Sequence, residues 1–227
     1  QRRQLLEGNW DVAEGAAFAE FTPDVHVITP FELPAWWERV KGIDYGYAAE
    51  SCCLWGAIDP DDKTIIIYRE LYRKGLTGEA LADTITQMEE NEVKSIPGVL
   101  DTAAWARTGY TGPTIGETLV NRGHKLRRAD KNRVAGKTQI HEHLRQREGI
   151  GRPRLQIFSN CVNLIKELQG IPLSASNPED VDTKASDHAY DALRYMLMSR
   201  PRMDHPYDRM LRIKTDIYQP SDNNFGY

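Results

Sequence analysis

The 227-residue chain is poor in cysteine, with only Cys52, Cys53 and Cys161. The count is odd and no Cys-x-x-Cys spacing occurs. This argues against a disulfide framework and a cysteine zinc site, and for a reducing compartment. In a strand, Cys52 and Cys53 face opposite sides. No apolar run approaches the ~18 residues of a transmembrane helix, so no membrane partner is expected. The opening QRRQLLEGNW is no signal peptide, and it lacks an initiator methionine, as a fragment of a longer chain would. Internal repeats and low-complexity tracts are missing too. Two motifs occur only in broken form. Ala135-Gly-Lys-Thr138 ends like a phosphate-binding loop, but the required first glycine is Lys131. His141 and His143 are two apart, not four, so the zinc-protease pattern fails as well.

What is present is ordinary in bulk and uneven in detail. Hydrophobic residues make up 40% and charged residues 27%, typical of a soluble globular domain. Net charge is −4, which by itself argues against a nucleic-acid partner. Between Arg122 and Arg154, however, eleven Lys or Arg stand against Asp130, Glu142 and Glu148, a local balance of +8. The rest of the chain then carries −12. A salt-bridged surface has this composition, and so does a polyanion-binding face set against an acidic site.

Punctuation along the chain predicts three regions. Residues 1–34 are mixed and proline-punctuated and read as an arm or linker, with a short helix candidate at QLLEGNW. Residues 35–200 read as one domain, and residues 201–227 as an extended tail. Within the domain, RVKGIDYG, SCCLWGAID and KTIIIYREL are strands, the last two joined by the turn DPDDK. TGEALADTITQMEENE is a helix capped by Thr77, followed by the strand GVLD. TIGETLVNRG, TQIHEHLRQR and CVNLIKELQG are helices alternating with the strands HKLRRA and RLQIF. An early hairpin followed by alternating strands and helices predicts an α/β mixed sheet with flanking helices.

The last helical run, TKASDHAYDALRYMLMSRP, holds the most informative pattern. Asp187 and Asp191 are four apart and repel on a helix surface. Asp187 has a simple account: Ser186 caps the helix and a first-turn carboxylate is favoured by the helix dipole. Asp191 lies a turn further into an otherwise apolar helix, so it points somewhere enclosed and needs a partner. Asp44 and Asp101 each end an apolar strand. Aspartate at a strand end is commonly a turn former. Three such acids converge if the two strands are adjacent, and a divalent cation would then relieve the repulsion. Two ions roughly 3.5–4 Å apart support in-line displacement at phosphorus.

The segments GIDYG, VLDTAAW, RADKNRVAGKTQIHEHL and DHAYDALRY, in that order, resemble the C-terminal nuclease domain of the large terminase subunit of tailed bacteriophages. The similarity runs from about Glu7 to Arg200, and QLLEGNWDVAEGAAFAEF is similar to the segment joining that family's ATPase domain to its nuclease. The resemblance implies a ribonuclease H-like fold with an antiparallel N-terminal hairpin. It also implies a metal-dependent endonuclease that cuts concatemeric double-stranded viral DNA at initiation and termination of packaging, in the host cytoplasm. Its metal-binding and catalytic acids would be Asp44, Asp101 and Asp191. His188 would be an auxiliary or water-mediated ligand, and Asp187 a further candidate. The cofactor would be Mg²⁺ or Mn²⁺, as two ions. Partners would be the DNA, an ATPase domain, a small terminase subunit and a portal. From the basic segment, Arg127, Arg128, Lys131, Arg133 and Lys137 are the candidate DNA contacts, with a helix start at Lys137 or Thr138 adding amide donors. Lys184 would neutralise the acids or touch a phosphate, or else stay solvated. The alternatives are another ribonuclease H-like nuclease, such as a resolvase or transposase core, and a non-catalytic DNA- or portal-docking module.

Overall fold

In the computed structural model, described for residues 15–92, 95–107, 112–182 and 184–199, strand alternation builds one seven-stranded sheet. β1 (Val27–Ile28), β2 (Glu38–Asp44), β3 (Glu50–Ile58), β4 (Ile65–Lys74), β5 (Gly98–Leu100), β6 (Leu126–Arg128) and β7 (Leu155–Phe158) lie in the order β1-β7-β4-β3-β2-β5-β6. β2, β3 and β4 form an antiparallel meander. β5 and β6 extend it in parallel from β2, and β7 and β1 in parallel from β4. The sheet is therefore mixed, as the sequence predicts.

Helices cover both faces. α2 (Gly78–Met88) and α3 (Ile115–Asn121) pack on one side, with Leu81, Ala82, Ile85 and Leu119 against Ile43, Cys53 and Trp55. α4 (Arg133–Leu144), α5 (Val162–Gly170) and α6 (His188–Met198) pack on the other, with Ile140, Leu164, Leu193 and Met196 against Val40, Cys52 and Leu54. Cys52 and Cys53 thus belong to opposite cores, as the period of two requires. The caps follow local rules. Thr77 accepts from the Ala80 amide, and Thr114 with Glu117 closes a reciprocal capping box on α3.

One tight contact decides where α6 lies. A Cβ on Gly42 would stand 2.2 Å from the Ala192 carbonyl oxygen and 2.9 Å from Met196 Cβ. Only a glycine lets the helix backbone rest on β2 here. Gly42 is two residues before Asp44, and Ala192 is one after Asp191. The contact therefore fixes the helix acid over the end of the strand.

Two boundaries differ from the sequence reading. The arm drawn over residues 1–34 is folded into the domain wherever it is described. Phe18 and Phe21 are buried in the α6-side core, Ala16 bridges Pro172, and β1 pairs with β7 after the short α1 (Pro23–His26). These contacts are non-local, and local punctuation does not encode them. α4 begins at Arg133, not near Lys137, because Asn132 accepts from the Ala135 amide and caps it there. The QLLEGNW helix and the 201–227 tail lie outside the described residues. Among the described residues, no helix is long and apolar enough to cross a membrane.

Candidate functional site

β2 and β5 run parallel with Ile43 opposite Leu100, so Asp44 and Asp101 leave the same ends of adjacent strands. The Asp101 amide donates to the Ile43 carbonyl at 3.0 Å, holding the two chain ends together. Asp191 enters from α6, on the face of the sheet to which Asp44 points. The electrostatics show the convergence. Burial raises Asp44 above the usual carboxylate range, a hydrogen bond from His188 opposes this, and the charges of Asp191 and Asp101 raise it further. Asp187 is pushed up to about 6 by burial and then by Asp191, against the pull of Arg133.

The protein's own cations sit among these acids. His188 Nδ1 lies 2.9 Å from Asp44 and its Nε2 lies 3.4 Å from Glu50. That bond to Asp44 raises His188, which favours its charged form. Arg194, almost fully buried, donates through Nε to Asp191 at 3.0 Å, and its guanidinium stacks 4.4 Å from the Tyr195 ring centroid. Arg133 donates to Asp180 at 2.8 Å and faces Asp191 at 3.3 Å and Asp187 at 3.5 Å. Asp101 accepts a 3.3 Å bond from the Tyr195 hydroxyl. Among the described residues, no three acidic, histidine or cysteine side chains already stand close enough together to hold a metal ion.

The start of α6 corrects two local expectations. The helix begins at His188, so Asp187 occupies the cap position, yet its side chain makes no cap bond and turns to Arg133 instead. Ser186 does not cap either; its hydroxyl meets Tyr72 at 2.8 Å and Glu167 at 3.3 Å. The cap comes from α5, where Glu167 accepts the Tyr190 amide at 2.8 Å. Asp191 consequently lies in the first turn and not a turn beyond it.

The basic candidates divide. Arg127, Arg128 and Lys131 are exposed; Arg127 donates to the Ser199 carbonyl at 2.8 Å, and Arg128 lies 5.5 Å from the Trp105 ring centroid. Lys137 is buried and donates to the Pro178 carbonyl at 3.1 Å. The capped start at Arg133 turns Lys137 inward, away from solvent. Arg133 is half-buried among acids and does not project from a loop. Lys184 is exposed. Sequence reading missed Glu50, Glu167, Asp180 and Arg194. Glu50 alone carries a usable signal: the Asp44–Cys52 register places it just across the β2–β3 turn from Asp44.

No protein-family model and no curated protein matches the chain. Solved structures do. The P22 large terminase nuclease domain aligns with a TM-score of 0.65 at 16% identity, covering 82% of this chain and 92% of that one. A large terminase from a thermophilic bacteriophage gives 0.68 at 16% identity, covering 84% of this chain and 46% of the longer neighbour. The g2p large terminase nuclease domain of bacteriophage SPP1, solved with bound Mn, gives 0.54 at 14% identity over 80% and 97%. The mixed sheet, its flanking helices and these alignments together give the chain the ribonuclease H-like fold of large terminase nuclease domains.

Proposed function

We propose that the chain is a metal-dependent DNA endonuclease of a viral genome-packaging motor. The observation that carries this reading is that Asp44 and Asp101, from adjacent strand ends, and Asp191, from the helix seated on Gly42, converge on one end of the sheet and feel one another's charge. The donor set fits a hard divalent cation in its chemistry, because it is built of carboxylate oxygens, and burial and mutual repulsion raise Asp44 and Asp187 despite their cationic partners. Asp44, Asp101 and Asp191 would hold Mg²⁺ or Mn²⁺, as two ions, with Asp187 at the margin. Manganese in the SPP1 domain supports the same choice of metal. Held there, divalent ions would supply a water of lowered pKa and neutralise charge on a phosphate.

The chain's own residues orient this centre. His188 holds Asp44 from one side and is itself held by Glu50, so it serves the acid as an ion-pair partner and need not be a ligand. Arg194 fixes one oxygen of Asp191. Arg127, Arg128 and Lys131 would carry the phosphate backbone past the acids without reading sequence, which suits cutting of concatemers at many places. The reading brings with it an ATPase domain, a small terminase subunit and a portal as partners, in the host cytoplasm. The longer thermophilic-phage neighbour, more than twice the aligned length, supports a second domain.

The test is digestion of supercoiled plasmid with and without Mg²⁺ or Mn²⁺. Cleavage should require metal and should be lost in Asp44→Asn, Asp101→Asn and Asp191→Asn. Outer partners of metal ligands typically cost 10–100-fold, so loss of a ligand should exceed ~100-fold. Asp187→Asn should be milder. Undiminished nicking by folded Asp44→Asn would defeat the reading, and metal-independent DNA binding without cleavage would favour a docking module.

A further inference from the structure

Arg133 is anchored at one edge and loosely engaged at the other. Its Nε meets Asp180 at 2.8 Å, the length of a strong charge-assisted bond. Its two terminal nitrogens face Asp191 and Asp187 at 3.3 and 3.5 Å, too long for such bonds. The side chain is a quarter exposed, whereas Arg194 on the other side of Asp191 is almost fully enclosed. Arg194 is therefore fixed, and its aliphatic stem occupies the space where a Cβ on Gly136 would fall. Arg133 has room to turn. It is the first residue of α4, directly after the exposed Lys131 and Asn132.

We infer that Arg133 is an internal cation that competes with divalent metal for Asp187 and Asp191, with Asp180 as the anchor that limits its hold on them. The inference rests on the metal-centre reading above. With no metal bound, the guanidinium offsets the repulsion between two carboxylates one helical turn apart. When metal takes the acids, the cation becomes superfluous there, and its free edge can swing about the Asp180 anchor toward a phosphate. Arginine suits both places, because its planar fork donates to carboxylate or phosphate in the same geometry.

The two ends of this arrangement predict opposite effects. Arg133→Gln removes the competing charge and should tighten Mn²⁺ binding about ten-fold, as expected for a unit charge a few ångströms away in a partly solvated site. Asp180→Asn keeps the Oδ1 that accepts from the Val181 amide but weakens the anchor. It releases Arg133 onto Asp187 and Asp191, so Mn²⁺ binding should weaken several-fold. Calorimetric titration of Mn²⁺ into the whole chain reads both effects without any cleavage assay. A folded Arg133→Gln protein that binds Mn²⁺ no more tightly than wild type overturns the inference. So does Asp180→Asn binding as tightly as wild type or tighter, which decides the matter should Arg133→Gln fail to fold. If neither wild type nor either variant binds Mn²⁺, the metal-centre reading fails and takes the inference with it. If wild type binds and the variants do not diverge, only the role of Arg133 is lost.

Discussion

Glu167 lies buried at the junction of α5 and α6, where its carboxylate accepts the Tyr190 amide and the Tyr72 hydroxyl. Burial raises it from 4.5 to about 7, although the Tyr190 and Tyr72 donors pull the other way. The anion is thus disfavoured in the folded chain by about 3 kcal/mol relative to the unfolded one. Because the folded value lies above the unfolded one, the group's contribution to stability is complete below pH 4.5 and lost as pH rises through about 7. Glu167→Gln keeps an acceptor for the Tyr190 amide and cannot ionise. Its denaturant midpoint should fall less than that of wild type between pH 5 and pH 8. At pH 8 the variant should be the more stable of the two. Parallel pH profiles for the two proteins would show that Glu167 does not carry the titration. Asp187, also raised to about 6, adds to the same trend in both proteins and cancels in the comparison.

At the scale of elements, helices and strands with strong local patterns were legible and non-local ones were not. The apolar runs SCCLWGAI and IIIYREL form strands, and Thr77 caps α2, as the sequence predicts. The two residues of β1 carry no pattern of their own and pair only because β7 is beside them. Asp44, Asp101 and Asp191, the acids of the proposed centre, could be singled out in the sequence because each stands in an apolar context. Glu167 and Asp180 were not, because each acts through a partner 23 or 47 residues away. The contact of α6 with β2 joins the two kinds of information, and it can be broken by one atom. Gly42→Ala places a methyl carbon against the Ala192 carbonyl and Met196 Cβ, both fixed to the helix backbone, with nothing flexible to yield. Overpacking of this kind costs about 1–3 kcal/mol, occasionally more. The variant should melt lower by several degrees. It should also lose Mn²⁺ affinity, since α6 must lift away from β2 and carry Asp191 from Asp44. A melting curve like that of wild type would mean the helix is not seated on the glycine.

Across the whole molecule, opposite charges meet at one end of the sheet. The strands β2, β5 and β6 are parallel neighbours, with Ile43 opposite Leu100 and Leu100 opposite Arg128. Asp44, Asp101 and the end of the basic strand therefore stand side by side, and Lys131 follows three residues after Arg128. Under the proposed reading, this would reconcile a net charge of −4 with a DNA substrate: repulsion from the acidic body would be met by exposed cations beside the acids. Binding there should release counterions, so log affinity falls with log salt by roughly one unit for each phosphate neutralised. Alanine at Arg127, Arg128 and Lys131 together should lower that slope by roughly three in an Asp44→Asn background, measured on a random duplex. Lys137→Ala should leave the slope unchanged and instead destabilise the fold, because this buried ammonium donates to the Pro178 carbonyl. Equal slopes for the triple variant and its parent would place the duplex elsewhere, whereas a lowered slope in Lys137→Ala would show that α4 turns its inward face to DNA on binding.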